Sequence, residues 1–284
     1  MPTVLSPALL DPIIDRALAE DLSGGDLTSD LTVDAETRAR AVAVARTPLV
    51  VCGGFVFARV FERVDPSVRV VLHEAEGTRV ESGRELWSVQ GSARSLLSAE
   101  RTALNFVQRM SGIATNSRTY VEALPRGSSA VVTDTRKTTP GLRVLERYAV
   151  RTGGAHSHRD NLGSAVLIKD NHIVAAGGIR QAVERGRKGA PHTSRIEVEV
   201  ENMDELDVAL EAKADIILLD NFSIDALKEA VRRAAGRAIL EASGGITLES
   251  IAKVAATGVN VISVGALTHS APAADIALDL DLIS

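Results

Sequence analysis

The chain is short of cysteine, of aromatic residues and of long apolar runs, and each shortage closes off a class of protein. Its one cysteine, Cys52, cannot form an internal disulfide, so a disulfide-stapled secreted scaffold is excluded and a reducing compartment fits. Cys52 follows the apolar run Leu49-Val50-Val51, which reads as buried filler rather than a reactive thiol. With aromatics at 3%, packing falls to Val, Ile, Leu and Ala, which suits β/α layers better than an aromatic-rich sandwich. No apolar run approaches the roughly 18 residues needed to cross a bilayer. The N-terminal stretch carries Asp11 and Asp15 in place of a basic region, unlike a secretory signal. The expectation is a soluble cytoplasmic protein with no membrane partner.

Lysine is missing too, up to Lys137. Residues 76–87 alternate short strand-like pieces with Gly77 and Gly83, which resembles the hammerhead of lipoyl and biotinyl carrier modules. Those modules need a lysine on a hairpin, and none is there, so a structural sheet remains.

What is present is ordinary in bulk: 284 residues, 45% hydrophobic and 24% charged, enough for one large domain or two. Leu9, Leu10, Ile13, Ile14, Ala17 and Leu18 recur at helical spacing and predict an opening helix that stops at Glu20-Asp21. Ser23-Gly24-Gly25-Asp26 reads as a turn. Small and β-branched residues over 39–51, broken at Thr47-Pro48, predict two strands or a bent one; 56–61 predicts a helix and 68–72 a strand. A long helix is expected over 95–110, with Arg101, Asn105 and Gln108 on a face away from its apolar side. That face is either solvated or meets a second subunit.

From Ala130 the pattern changes. Apolar runs end in polar residues near 133, 169, 200, 220, 241 and 265, and helical patterns fill most of the gaps. Asn202 opens one helix with a capping-box arrangement; Ser223 and Thr247 read as N-caps, Gly236 and Gly258 as stops. Repeated strand-then-helix units argue for parallel strands with helical crossovers. Six such strands, plus an earlier one expected near 113–121, favour a TIM-like β/α barrel of about seven strands, hence incomplete, over an open sheet. The fold class is α/β: an N-terminal α+β sandwich domain over 1–112, then a barrel over 113–272, with 273–284 returning to the first domain.

The segment 136–169 carries seven Lys or Arg (136, 137, 143, 147, 151, 159, 169) and two acids, Glu146 and Asp160, a local balance of 7 − 2 = +5 in a chain of net −5. Such gathering suits a small, strongly anionic ligand; nucleic acid would be repelled by the rest of the surface. Barrels place their chemistry at strand C-termini. Those positions hold Arg136, Lys137, His158, Arg159, Lys169, Glu199, Asp220, Ser243-Gly244-Gly245 and Gly265. Arg136-Lys137 is solvated or, as favoured at the end of an apolar strand, in contact with ligand. Arg143, Arg147 and Arg151 share a helix face that reads as solvated. The cationic surroundings of His156 and His158 disfavour zinc, and His158-Arg159 suits the grip of a carboxylate. Glu197, Glu199 and Glu201 alternate with Ile196, Val198 and Val200, so one face of that strand is acidic. It is simply wet, or it turns toward the barrel axis and must meet cations or a metal. Glu199 and Asp220, oxygen donors only, suit Mg²⁺ held through water. The small-residue turns at 243–245 and 265–268 can cradle a phosphate on backbone N–H groups.

These residues also match a known family. The chain resembles quinolinate phosphoribosyltransferases, the decarboxylating nicotinate-nucleotide pyrophosphorylases, in Asp134-Thr135-Arg136-Lys137-Thr138-Thr139-Pro140-Gly141, His158-Arg159, Leu167-Ile168-Lys169-Asp170-Asn171-His172, Glu197-Val198-Glu199-Val200, Leu218-Leu219-Asp220-Asn221-Phe222 and Glu241-Ala242-Ser243-Gly244-Gly245-Ile246, among other runs spread along nearly all of it. The resemblance implies transfer of phosphoribosyl from phosphoribosyl pyrophosphate to quinolinate with decarboxylation. Arg136, His158, Arg159 and Lys169 would bind quinolinate. Lys137 and Lys169 would reach phosphate, and Ser243, Gly244, Gly245 and Gly265 would hold the 5′-phosphate. Glu199 and Asp220 would attend Mg²⁺. Lys137, Lys169, Glu199 and Asp220 are the expected catalytic set. A homodimer or higher even oligomer would donate Arg101 across its interface. The rivals are a related barrel found with molybdate-transport genes, a Schiff-base aldolase using Lys169, and a catalytically silent phosphate-binding scaffold.

Overall fold

The computed structural model describes residues 5–283. Its first unit takes in the chain to Arg118, residues 138–154 and the segment from Ser270. Helix α1 (Pro7–Leu22) buries Leu10, Ile14 and Leu18. A short α2 (Leu27–Thr32), not anticipated, starts where Asp26 Oδ1 accepts from Ser29 N at 3.0 Å. Strands β1 (Arg38–Ala45) and β2 (Leu49–Val50), α3 (Gly54–Val64), and strands β3 (Arg69–Leu72), β4 (Arg79–Val80) and β5 (Glu85–Ser92) follow. Helix α3 packs Val56, Phe57, Val60 and Phe61 inward, Phe57 lying against Trp87 with ring centroids 5.0 Å apart.

Helix α4 runs unbroken from Ala93 to Glu122. The strand expected over 113–121 is therefore the second half of this helix. Ser111 and Thr115 look like breakers but are satisfied by neighbouring backbone. Ser111 Oγ accepts from Cys52 N at 3.1 Å and donates to Cys52 O at 3.0 Å, and Thr115 Oγ1 accepts from Val50 N at 2.8 Å. Gly112 is a close approach: a Cβ there would sit 2.0 Å from Pro272 O. Helix α5 (Arg143–Thr152) also corrects an expectation, because Arg147 is 3% exposed and Arg143 and Arg151 are half-buried, not a solvated stripe.

The second unit holds 119–137 and 155–269. Strand β6 (Val131–Thr133) leads on to β7 (Val166–Ile168), α6 (Asp170–Ala176), α7 (Ile179–Gly189), β8 (Ile196–Val200), α8 (Met203–Glu211), β9 (Ile216–Asp220), α9 (Ile224–Ala234), β10 (Ile239–Ser243), α10 (Leu248–Ala255), β11 (Val261–Ser263) and α11 (Ala266–His269). The last strand, β12 (Ile276–Ile283), pairs antiparallel with β1, giving the first unit a sheet ordered β12-β1-β5-β3. Strands β6 to β11 form one parallel sheet, β6-β11-β10-β9-β8-β7. This is the incomplete TIM-like barrel, with six strands. Where a seventh would lie, a single parallel bridge joins Thr133 to His156. Local chemistry sets the helix starts: Asn202 Oδ1 accepts from Glu205 N at 2.9 Å, Ser223 caps α9 on Ala226 N, and Thr247 forms a capping box with Ser250.

Candidate functional site

The strand ends converge on a cavity of 390 Å³ lined by Thr135, Arg136, Lys137, His158, Arg159, Leu167, Lys169, Glu199, Leu218, Asp220, Glu241, Ser243 and Ser263, all in the second unit. Sequence reading placed eight of these there by number. Asp220, Ser243 and Ser263 are the last residues of β9, β10 and β11, Lys169 follows β7 directly, and Thr135, Arg136 and Lys137 lie just beyond β6. Lys137 N donates to Thr135 Oγ1 at 3.1 Å, while its carbonyl accepts from Thr268 Oγ1 at 2.8 Å.

The loop bearing His158 is pinned to the outer edge of β6. His156 N donates to Val132 O at 2.8 Å, and His158 N donates to Asp134 Oδ1 at 2.7 Å. Arg159 is thereby brought beside Arg136. Burial first, then the neighbouring Arg136 guanidinium, lowers the pKa of Arg159 from its ordinary value, with Glu197 opposing. Two guanidiniums brought together in a partly closed site suit an anion of matching charge. Lys169, opposite, is ion-paired with Glu199, its side chain 42% exposed against 13% for the carboxylate.

Below this mouth lies a second, drier cluster. Glu197 and Glu241 are 4% exposed, and an imidazole nitrogen of His158 and one oxygen of each carboxylate lie within 4.8 Å of one another. Arg159 N donates to His158 Nδ1 at 2.7 Å, which assigns the ring proton to Nε2. That N–H faces Glu197 Oε1 at 3.4 Å and Glu241 Oε1 at 3.6 Å. Both ring nitrogens are thus engaged inside the protein, and the donor expected to grip a substrate carboxylate is turned toward the floor. A metal on this trio is disfavoured by the same geometry, since its only available nitrogen already carries hydrogen. Burial and then the Glu197 charge raise the pKa of Glu241 to about 7, against the pull of His158, Ser263 and Lys169. His158 itself is lowered by burial but raised more by Glu197, Glu241 and Asp134, for a net increase. Glu241 was not singled out from sequence; its one signal is a lone acid inside the apolar strand Ile239–Ser243.

Beside Ser243, Gly244 and Gly245 have φ of +92° and +60°. A Cβ on Gly244 would stand 2.1 Å from Asn221 Oδ1, so the turn needs glycine. Asn221 donates from Nδ2 to Asp220 Oδ2 at 2.8 Å and from its backbone N to Ser243 O at 2.9 Å, tying the acid ending β9 to the glycine turn. A Cβ on Gly265 would come within 3.1 Å of Lys137 Cδ and of His269. Glu199 and Asp220 face the cavity as oxygen donors, which fits a hard cation, although no tight three-ligand group includes them among the described residues. Arg101 is not part of this cavity; it is exposed on α4 and lines a separate 530 Å³ cavity of the first unit with Arg16, Glu20, Asp21 and Arg109.

Family models of quinolinate phosphoribosyl transferase match the chain twice, the N-terminal domain over 26–111 and the C-terminal domain over 113–279. The chain belongs to the quinolinate phosphoribosyltransferase family. The nicotinate-nucleotide pyrophosphorylase [carboxylating] of Mycobacterium leprae is 46% identical over 94% of this chain and 95% of that protein. The probable enzyme of the same name from Bacillus subtilis is 41% identical over 96% and 94%. The crystal structure of NadC from Streptococcus pyogenes superposes with a TM-score of 0.95 at 39% identity, covering 100% of both chains. The family accounts for the cationic mouth, and the aldolase reading loses its support: Lys169 sits in an ion pair rather than in the apolar pocket that activates a Schiff-base lysine.

Proposed function

We propose that this chain transfers phosphoribosyl from phosphoribosyl pyrophosphate to quinolinate and releases pyrophosphate, CO₂ and nicotinate mononucleotide, a pentosyltransferase step of NAD biosynthesis. The observation that carries it is the pairing of Arg136 and Arg159 in a cavity that Lys169 and Lys137 also line. A pyridine dicarboxylate supplies two negative charges at the spacing of one ring, and a planar guanidinium fork binds a carboxylate by two parallel hydrogen bonds. His158 fixes Arg159 through the backbone bond to its Nδ1.

Lys137 reaches phosphate oxygens, and the turn at Ser243, Gly244 and Gly245, with Gly265, holds the 5′-phosphate on backbone N–H groups. Glu199 and Asp220 would hold Mg²⁺, and the ion would supply neutralising charge to the diphosphate. As pyrophosphate departs, C1′ gains positive character, which the two carboxylates favour, and the ring nitrogen attacks it. The quaternised nitrogen stabilises negative charge at the adjacent carbon, so the 2-carboxylate leaves as CO₂. Most of the catalysis is orientation and neutralisation. The exposed Arg101 completes the quinolinate pocket of a second copy in a homodimer or higher even assembly.

Purified protein given quinolinate, phosphoribosyl pyrophosphate and Mg²⁺ will form nicotinate mononucleotide with one pyrophosphate and one CO₂ per ring. Absence of the mononucleotide under those conditions overturns the assignment.

A further inference from the structure

Loss of CO₂ leaves an electron pair on C2 of the pyridinium ring, and the reaction is finished only when that carbon receives a proton. The cations assigned to the mouth have other work, Lys137 at the phosphates and the rest at the carboxylates. Arg136 and Arg159 are guanidiniums that hold their protons, and Lys169 is committed to Glu199. The floor cluster is different.

Its proton count follows from geometry. Glu197 and Glu241 are two buried carboxylates facing one imidazole N–H. Two such charges side by side in a dry site do not both persist, so the cluster carries one proton beyond the one on Nε2. That proton has no place on His158, because Nδ1 already accepts from Arg159 N at 2.7 Å. Glu197 is the nearer partner of the Nε2–H, at 3.3–3.4 Å. Glu241 Oε1 has no hydrogen-bond partner, lies 3.6 Å from Nε2 and belongs to a residue that lines the cavity. The charged and titratable groups that bear on Glu241 are Glu197 on β8, His158 on the loop before β7 and Lys169 at the end of β7, with the Ser263 hydroxyl on β11. Burial and the neighbouring Glu197 charge hold the proton on Glu241 against the pull of His158, Ser263 and Lys169.

We infer that Glu241 is the catalytic acid of the second half-reaction: its carboxyl proton passes to C2 as CO₂ leaves. This rests on the proposed quinolinate chemistry. The C2–carboxylate bond breaks, both electrons stay on C2, and the Glu241 O–H bond breaks as the C2–H bond forms. Glu241 is left as a carboxylate beside Glu197, a state the site disfavours, and it regains a proton from water through the cavity. Arg159 links the two half-reactions: its side chain serves the mouth, while its backbone N–H keeps the His158 ring in the form that leaves the proton on Glu241.

The test is a single-turnover experiment with quinolinate labelled in its 2-carboxylate, following pyrophosphate and CO₂ separately. Pyrophosphate reports the transfer reading and the CO₂-to-pyrophosphate rate ratio reports Glu241, so the two fail independently. In Glu241→Gln, which keeps the shape but not the acid, the ratio should fall by about 10²-fold, in line with the contribution of a general acid, and quinolinate mononucleotide should accumulate. Glu241→Asp should recover part of it. CO₂ keeping pace with pyrophosphate in Glu241→Gln overturns the inference. Should that variant fail to fold, the unmodified enzyme decides. The ratio should drop as pH rises above about 7, where Glu241 ionises, and a constant ratio from acid to alkaline pH overturns the inference equally.

Discussion

Glu197 and Glu199 stand two residues apart on one face of β8, yet the barrel gives them different company. Glu199, nearer the mouth, meets the half-exposed ammonium of Lys169. Glu197, one step deeper, meets a histidine and a second buried acid. A carboxylate beside water and a full cation is an electrostatic partner for substrate charge. The same group in a dry trio becomes part of a proton-holding device. Depth along a single strand, rather than residue type, separates neutralising charge from moving a proton.

The largest way to break this comparison is at the mouth. Arg136→Ala should lower kcat/KM for quinolinate by about 10³-fold, the loss expected when a charged, hydrogen-bonded pair between protein and ligand is broken. Steady-state kinetics will show it, and wild-type turnover would remove the carboxylate assignment. The floor should announce itself in stability. Glu241 binds its proton more tightly folded, at about 7, than at its ordinary 4.5, so its ionisation detracts from stability progressively from about pH 4.5 to 7 and fully above. Glu241→Gln carries no such group. Urea unfolding should find the variant gaining on wild type by about 3 kcal/mol between pH 4.5 and 8, and parallel curves would contradict the burial argument.

Glu199→Gln sharpens the contrast from the other side. It should cut kcat by about 30-fold through loss of stabilisation at C1′, with no change in the CO₂-to-pyrophosphate ratio that Glu241 governs. Smallest is Gly244→Ala. Its Cβ would strike Asn221, and the displaced turn should raise KM for phosphoribosyl pyrophosphate about 10-fold while quinolinate affinity holds, as calorimetry can check.

The strands of the barrel were legible because each is a short apolar run that a polar residue ends, and that ending residue is what reaches the cavity. Arg136, Lys169 and Asp220 were found for this reason. The second half of α4 was not legible: Ser111-Gly112 looks like a break, and only the backbone of Val50 and Cys52 and the crossing at Pro272 explain those residues. Arg147 shows the same limit, since helical spacing groups residues on a face without saying whether the face is wet. The floor cluster was half visible. The acidic alternation of β8 pointed inward, but its meeting with Glu241 and the orientation of the His158 ring depend on strand order, β8-β9-β10, which no sequence pattern records.

The most direct measurement is kcat/KM for quinolinate against nicotinate, which lacks the 2-carboxylate. A mouth that gathers Arg136, Arg159 and Lys169 around one ligand should prefer quinolinate by at least about two orders of magnitude, because nicotinate forgoes the charge-assisted hydrogen bonds of the second carboxylate. Comparable values for the two acids would contradict the account.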